Sequence, residues 1–127
     1  MQIMKITGFK RCIDGTILKE CTIDGQVTRE MVAYLGNFGT AKVLDNLKQP
    51  FFSFTKEGLF TIKGMVGDTC LYVRFKKEHM DLSGDLLHEM ILQYDPDKPG
   101  IEAVRVLEQK LFSQISSEAI YPARSDN

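Results

Sequence analysis

Tyr72, Arg74 and Lys76 alternate along the short segment LYVRFKK, with Lys77 beside them. On a strand, alternate residues share a face, so an aromatic ring and two cations would stand together, an arrangement suited to stacking on a base and pairing with its phosphate. The same three residues equally suit the polar outer face of a half-buried sheet. Cys12, Cys21 and Cys70 are the candidate nucleophiles and His79 and His88 the candidate bases, but no spacing joins a thiol to an imidazole. The cysteines match neither a CxxC redox pair nor a zinc knuckle, so free thiols packed as small hydrophobes are expected. His79 and His88, with Asp81, Asp85 and Glu89, are the candidate metal ligands; they lack the fixed spacing of an HExxH helix. Asp95, Asp97, Gly100 and Glu102 begin like a calcium loop, yet Pro99 and the missing acid at the end of the loop break the ligand set. No metal and no cofactor is therefore expected. The chain also has no GxSxG, no phosphate-binding loop and no dinucleotide fingerprint, which leaves an enzyme without support.

A second constellation is Gly36-Asn37-Phe38-Gly39-Thr40, a GxxG segment between two runs of helical periodicity. Glycines let the backbone approach phosphates, and a helix starting after them would offer its N-terminus to an anion. The segment is similar to the loop by which KH domains hold a nucleic-acid backbone. The expected order of hairpin, helix, GxxG, helix and strand over about Gln2 to Phe54 resembles part of the second KH topology. The resemblance implies single-stranded nucleic acid as ligand, gripped by residues Gly36 to Thr40. Read without it, the same glycines serve a helix-helix corner, one ending a helix and the other opening a tight turn.

The elements that must position these groups follow from periodicity and turn chemistry. Gln2 to Cys12 and Thr16 to Ile23 are β-favourable runs around Asp14-Gly15, a dipeptide that accepts the positive φ of a hairpin turn. Thr28 can cap a helix carrying Met31, Val32 and Leu35 on one stripe, and Thr40 a second one carrying Val43, Leu44 and Leu47, ended by Pro50. Phe51 to Thr55, Leu59 to Met65 and Cys70 to Lys76 read as three consecutive strands. Their alternation puts Phe52, Phe54, Phe60, Ile62, Leu71, Val73 and Phe75 on one buried face and leaves Lys63, Arg74 and Lys76 on the other. Asp85 to Tyr94 fits helix and strand, and its leucine, methionine and glutamine favour helix, with Ser83 as cap. Ile101, Val104, Leu107, Leu111 and Ile115 mark an amphipathic C-terminal helix after a Pro-rich connector.

The expected architecture is α+β: an antiparallel sheet of about five strands, packed on one face by a broken helix pair and a C-terminal helix. One domain over 1–115 is expected, with 116–127, where periodicity is lost, as a flexible tail. The 127 residues carry 16 basic and 17 acidic side chains, a net charge of -1, which argues against a uniformly basic surface. The apolar runs are short and the start lacks the apolar region of a signal peptide, so a cytoplasmic protein without membrane contact is expected. Taken together, the leading expectation is a non-catalytic domain that binds a protein partner or another copy of itself through exposed strand edges. The alternatives are single-stranded nucleic acid on the GxxG loop or the Tyr72, Arg74, Lys76 face, and a small molecule held under the sheet.

Overall fold

Asp14 and Gly15 turn the chain back on itself as their chemistry requires. Gly15 takes φ 87°, and the Asp14 carboxylate accepts from both the backbone and the hydroxyl of Thr16 at 3.0 and 2.6 Å. The hydroxyl first, then the backbone N–H, holds the Asp14 carboxyl below its ordinary pKa. In the computed structural model, residues 1–45 and 48–125 are described, with side chains for all of these but Phe9 and 116–125. The turn joins β1 (Ile3–Arg11) to β2 (Ile17–Ile23). Helix α1 (Arg29–Leu35) follows, its Thr28 hydroxyl accepting from the Met31 N–H as an N-cap. Then come β3 (Thr40–Leu44), β4 (Phe51–Lys56), β5 (Phe60–Met65) and β6 (Cys70–Phe75), and two helices, α2 (Met80–Leu92) and α3 (Ile101–Ser125).

The six strands form one sheet in the order β1-β2-β6-β5-β4-β3, with every neighbour antiparallel. β6 closes the sheet by pairing along β2, Ile17 opposite Phe75 and Thr22 opposite Cys70. One face is the core. Phe52, Phe54, Phe60, Ile62, Leu71, Val73 and Phe75 are all buried there, as their alternation requires, with Cys21 and Ile23 of β2. Helix α1 contributes Met31, Val32, Tyr34 and Leu35, α2 contributes Leu86, Leu87, Met90 and Ile91, and α3 contributes Val104 and Leu111. Each large side chain removed from water here is worth about 1.5–3 kcal/mol. The result is an α+β fold with the helices on one side of an open sheet.

Three expectations are corrected. Thr40 does not cap a helix: it opens β3, which pairs along β4 from Thr40 opposite Thr55 to Leu44 opposite Phe51. The β-branched Thr40 and Val43 suit a strand, and the unpaired edge of β4 offers hydrogen bonds that a second short helix could not match. Leu47, assigned to that helix, lies outside the described residues. The sheet accordingly has six strands, and α1 stands alone where a helix pair was expected. Asp85 to Leu92 is helical, but the helix begins a turn earlier than Ser83, at Met80, behind a left-handed His79 with φ 58°. Ser83 is buried inside that helix. Among the described residues no helix is long and apolar enough to cross a membrane.

Candidate functional site

The face of the sheet turned away from the helices is uncovered. Directly paired residues on antiparallel strands point to the same side, so the register assembles this face row by row. One row reads Thr7, Glu20, Tyr72, Lys63, Ser53, Lys42 from β1 across to β3. The next, toward the hairpin turn, reads Lys10, Leu18, Arg74, Thr61, Thr55, Thr40. On the other side of the first row lie Lys5, Thr22 and Cys70, and then Phe51 between Met65 and Leu44.

Charge is segregated on this surface. Its strand residues include Lys5, Lys10, Lys42, Lys63 and Arg74, all exposed, against one acid, Glu20. The whole chain, by contrast, carries a net charge of -1. At the centre, Leu18, Thr61, Lys63, Tyr72 and Arg74 line a shallow depression of about 150 Å³. Tyr72 keeps 41% of its surface in water. Cys70, by its charge when ionised and then by its hydrogen bond, and after it Glu20 raise the Tyr72 pKa above its ordinary value. Next to Arg74, the hairpin turn adds an open groove of about 490 Å³, lined by Lys10, Arg11, Cys12, Ile13 and Asp14. The central depression at Tyr72, about 150 Å³, is smaller than the roughly 300 Å³ at which small-molecule pockets begin. Its shape suits a flat or extended ligand lying on the sheet.

Tyr72 and Arg74 thus stand together as their spacing predicted. Lys76 is exposed but lies one residue past β6, where strand alternation no longer fixes its side, and its N–H donates to the Leu59 carbonyl at 3.0 Å. Lys5, Lys10, Leu18, Lys42 and Phe51 were missed as members of the same surface. Alternation within each strand signals that Phe51 points opposite Phe52, and that Leu18 points opposite Ile17. Which strands lie side by side is the information a single sequence withholds.

Gly36, Asn37, Phe38, Gly39 and Thr40 join the end of α1 to the start of β3. Phe38 is buried, with its ring edge-on to Tyr34 at 5.3 Å between centroids. The Asn37 side-chain amide donates to the Tyr34 carbonyl at 2.9 Å, closing the end of α1. Gly39 crosses β4 so closely that a Cβ would sit 2.4 Å from the Thr55 carbonyl oxygen and 2.8 Å from the Phe54 ring. That close approach explains the glycine. Beneath the loop, the buried Lys56 ammonium donates to the Phe38 carbonyl at 2.6 Å and to Glu108 of α3 at 2.9 Å, with the Phe112 ring 5.1 Å away. The segment is fastened to the core, and a strand follows it where a KH-like arrangement needs a helix N-terminus. The expected KH-like order of elements is therefore absent.

The remaining candidates are dispersed. Among the described residues no group of three or more His, Cys, Asp or Glu side chains is placed to hold a metal ion. The cysteines are free thiols. Burial pushes the Cys21 thiol up to about 11 and raises that of Cys70, the opposite of what a nucleophile needs. The chain matches no family model, no curated protein and no solved structure with which it was compared.

Proposed function

We propose that this chain is a non-catalytic binding domain whose working surface is the uncovered face of the sheet, and that this surface takes an anionic partner. The observation that carries the reading is the segregation of Lys5, Lys10, Lys42, Lys63 and Arg74 on a face whose strands offer one acid, in a chain of net charge -1. Such a patch raises the local concentration of anions and orients them, although the molecule as a whole is nearly neutral. Its strength falls with salt, because binding a polyanion releases condensed counterions.

The test is retention on immobilised heparin at low ionic strength. The wild-type chain is retained and elutes with rising salt. The double variant Lys63→Glu/Arg74→Glu, which reverses two exposed charges without touching the core, elutes at no more than about half that salt concentration. Failure of the wild-type chain to bind, or equal elution of the variant, refutes the reading.

A second reading, association with a protein or with another copy along β1, is favoured by the outer strand itself. β1 lies at the sheet edge, and its Met4 and Ile6 are 61% and 55% exposed. A long apolar edge is a template for further pairing. Concentration-dependent sedimentation that Ile6→Lys abolishes would support it; a monomer at high concentration that also captures no protein partner would remove it.

A further inference from the structure

The uncovered face carries two aromatic side chains as well as its cations. Tyr72 and Phe51 both point to this side, Tyr72 in the row with Lys63 and Phe51 one row away on β4. Two inter-strand spacings and one two-residue step along a strand place their Cα atoms about 12 Å apart. Lys63, directly opposite both Tyr72 and Ser53, lies between them. Ser53 and Thr61 supply neutral hydroxyls around it, and Arg74 and Lys42 flank the pair. Across its six strands the face spans about 24 Å.

Charge alone would suit any polyanion. Two aromatic rings with a cation between them favour a polyanion that also presents flat π-faces, because base–aromatic stacking adds to the attraction of the charges. Bases are available for stacking only where they are not already stacked and paired in a duplex. Resting on the reading that this face takes an anion, we propose that its partner is single-stranded nucleic acid, with Tyr72 and Phe51 stacking on bases and Lys63, Arg74 and Lys42 meeting the phosphates between and beside them. Recognition of this kind tracks backbone and base faces and tolerates many sequences.

The experiment separates the bases from the charge. Fluorescence anisotropy is measured at low salt with a labelled oligothymidylate long enough to cross the sheet, and with an abasic strand of the same length that keeps every phosphate. Wild type should bind the oligothymidylate about a hundredfold more tightly than the abasic strand, the gain expected for stacking two bases at about tenfold each. Tyr72→Ala should cut that preference about tenfold, leaving the share of Phe51, and Tyr72→Phe, which keeps the ring, should retain it in full. Because Tyr72 is on the solvent side, its loss leaves the core intact, and circular dichroism confirms the fold of each variant. Equal binding of both strands by wild type overturns this inference while leaving an anionic face in place. So does a preference that Tyr72→Ala leaves undiminished, or tighter binding to phosphatidylserine vesicles than to the oligonucleotide. If neither strand binds and heparin also fails, the underlying reading falls with it.

Discussion

Replacing Lys56 tests whether one buried cation ties the sheet, the Gly36 to Gly39 loop and α3 together. Its ammonium serves the Phe38 carbonyl at 2.6 Å and Glu108 at 2.9 Å, over the Phe112 ring. Lys56→Met keeps most of the aliphatic packing and removes the three polar contacts. The Phe38 carbonyl is then left without this donor at a cost of about 1–2 kcal/mol. Glu108 retains 21% of its side-chain surface, so it can turn to water, and its loss is nearer 1 kcal/mol than the 3–5 of a wholly buried pair. The ring contact adds about 0.5 kcal/mol. Retained packing offsets part of this, and the net expectation is destabilisation by about 2–3 kcal/mol, a fall in Tm of about 6–12 °C for a chain of this size. Glu108→Gln alone should cost about 1 kcal/mol, and the double variant less than the sum of the two, with a coupling of about 1 kcal/mol. Urea denaturation of the four proteins measures all of these. A Lys56→Met protein within about 0.5 kcal/mol of wild type, or strictly additive effects, would refute the assignment of Lys56 as the tie.

Gly39→Ala drives a Cβ into the Thr55 carbonyl and the Phe54 ring, so β4 or the loop must move, and a loss of about 2–3 kcal/mol is expected in the same urea assay. Gly84→Ala in α2 meets nothing within 4 Å and should instead stabilise by about 0.5–1 kcal/mol. Cys21 makes the fold sensitive to alkali. Its folded pKa is raised from 9.0 to about 11, so the unfolded chain loses the thiol proton first. The stabilisation is complete below pH 9 and is lost as pH rises through 11, by up to about 2–3 kcal/mol. Cys21→Ala should flatten the stability profile over that window, and an unchanged slope counts against the assignment.

Most of the core was legible because its signal is local. Phe52, Phe54, Phe60, Ile62, Leu71, Val73 and Phe75 alternate within strands, and the two-residue period decides their side without reference to any other strand. Thr28 and the Asp14-Gly15 turn were legible for the same reason. Thr40 to Leu44 was not. Val43 and Leu44 fit a helical stripe as well as a strand, and the β4 edge that settles the matter lies further along the chain. The start of α2 escaped because His79, not a capping serine or threonine, precedes it in a left-handed conformation. Of the candidate surface, the alternation of Tyr72 and Arg74 was visible, while Lys10, Leu18 and Lys42 join them only through the pairings of β2 with β6 and β3 with β4.

The pairing of β2 with β6 also has a consequence for how the chain is made. Ile17 meets Phe75, so the first hairpin waits for more than fifty further residues before its inner strand has a neighbour on the other side. At roughly 5–20 residues per second on a ribosome, that wait is about 3–10 s. The meander of β4, β5 and β6 has no such delay, since each strand pairs with the one before it. Folding by this order leaves β2 as an open edge during synthesis, and the closing event joins the part of the cationic face on β1 to the part on β4, β5 and β6. The uncovered face is therefore complete only once β6 has emerged.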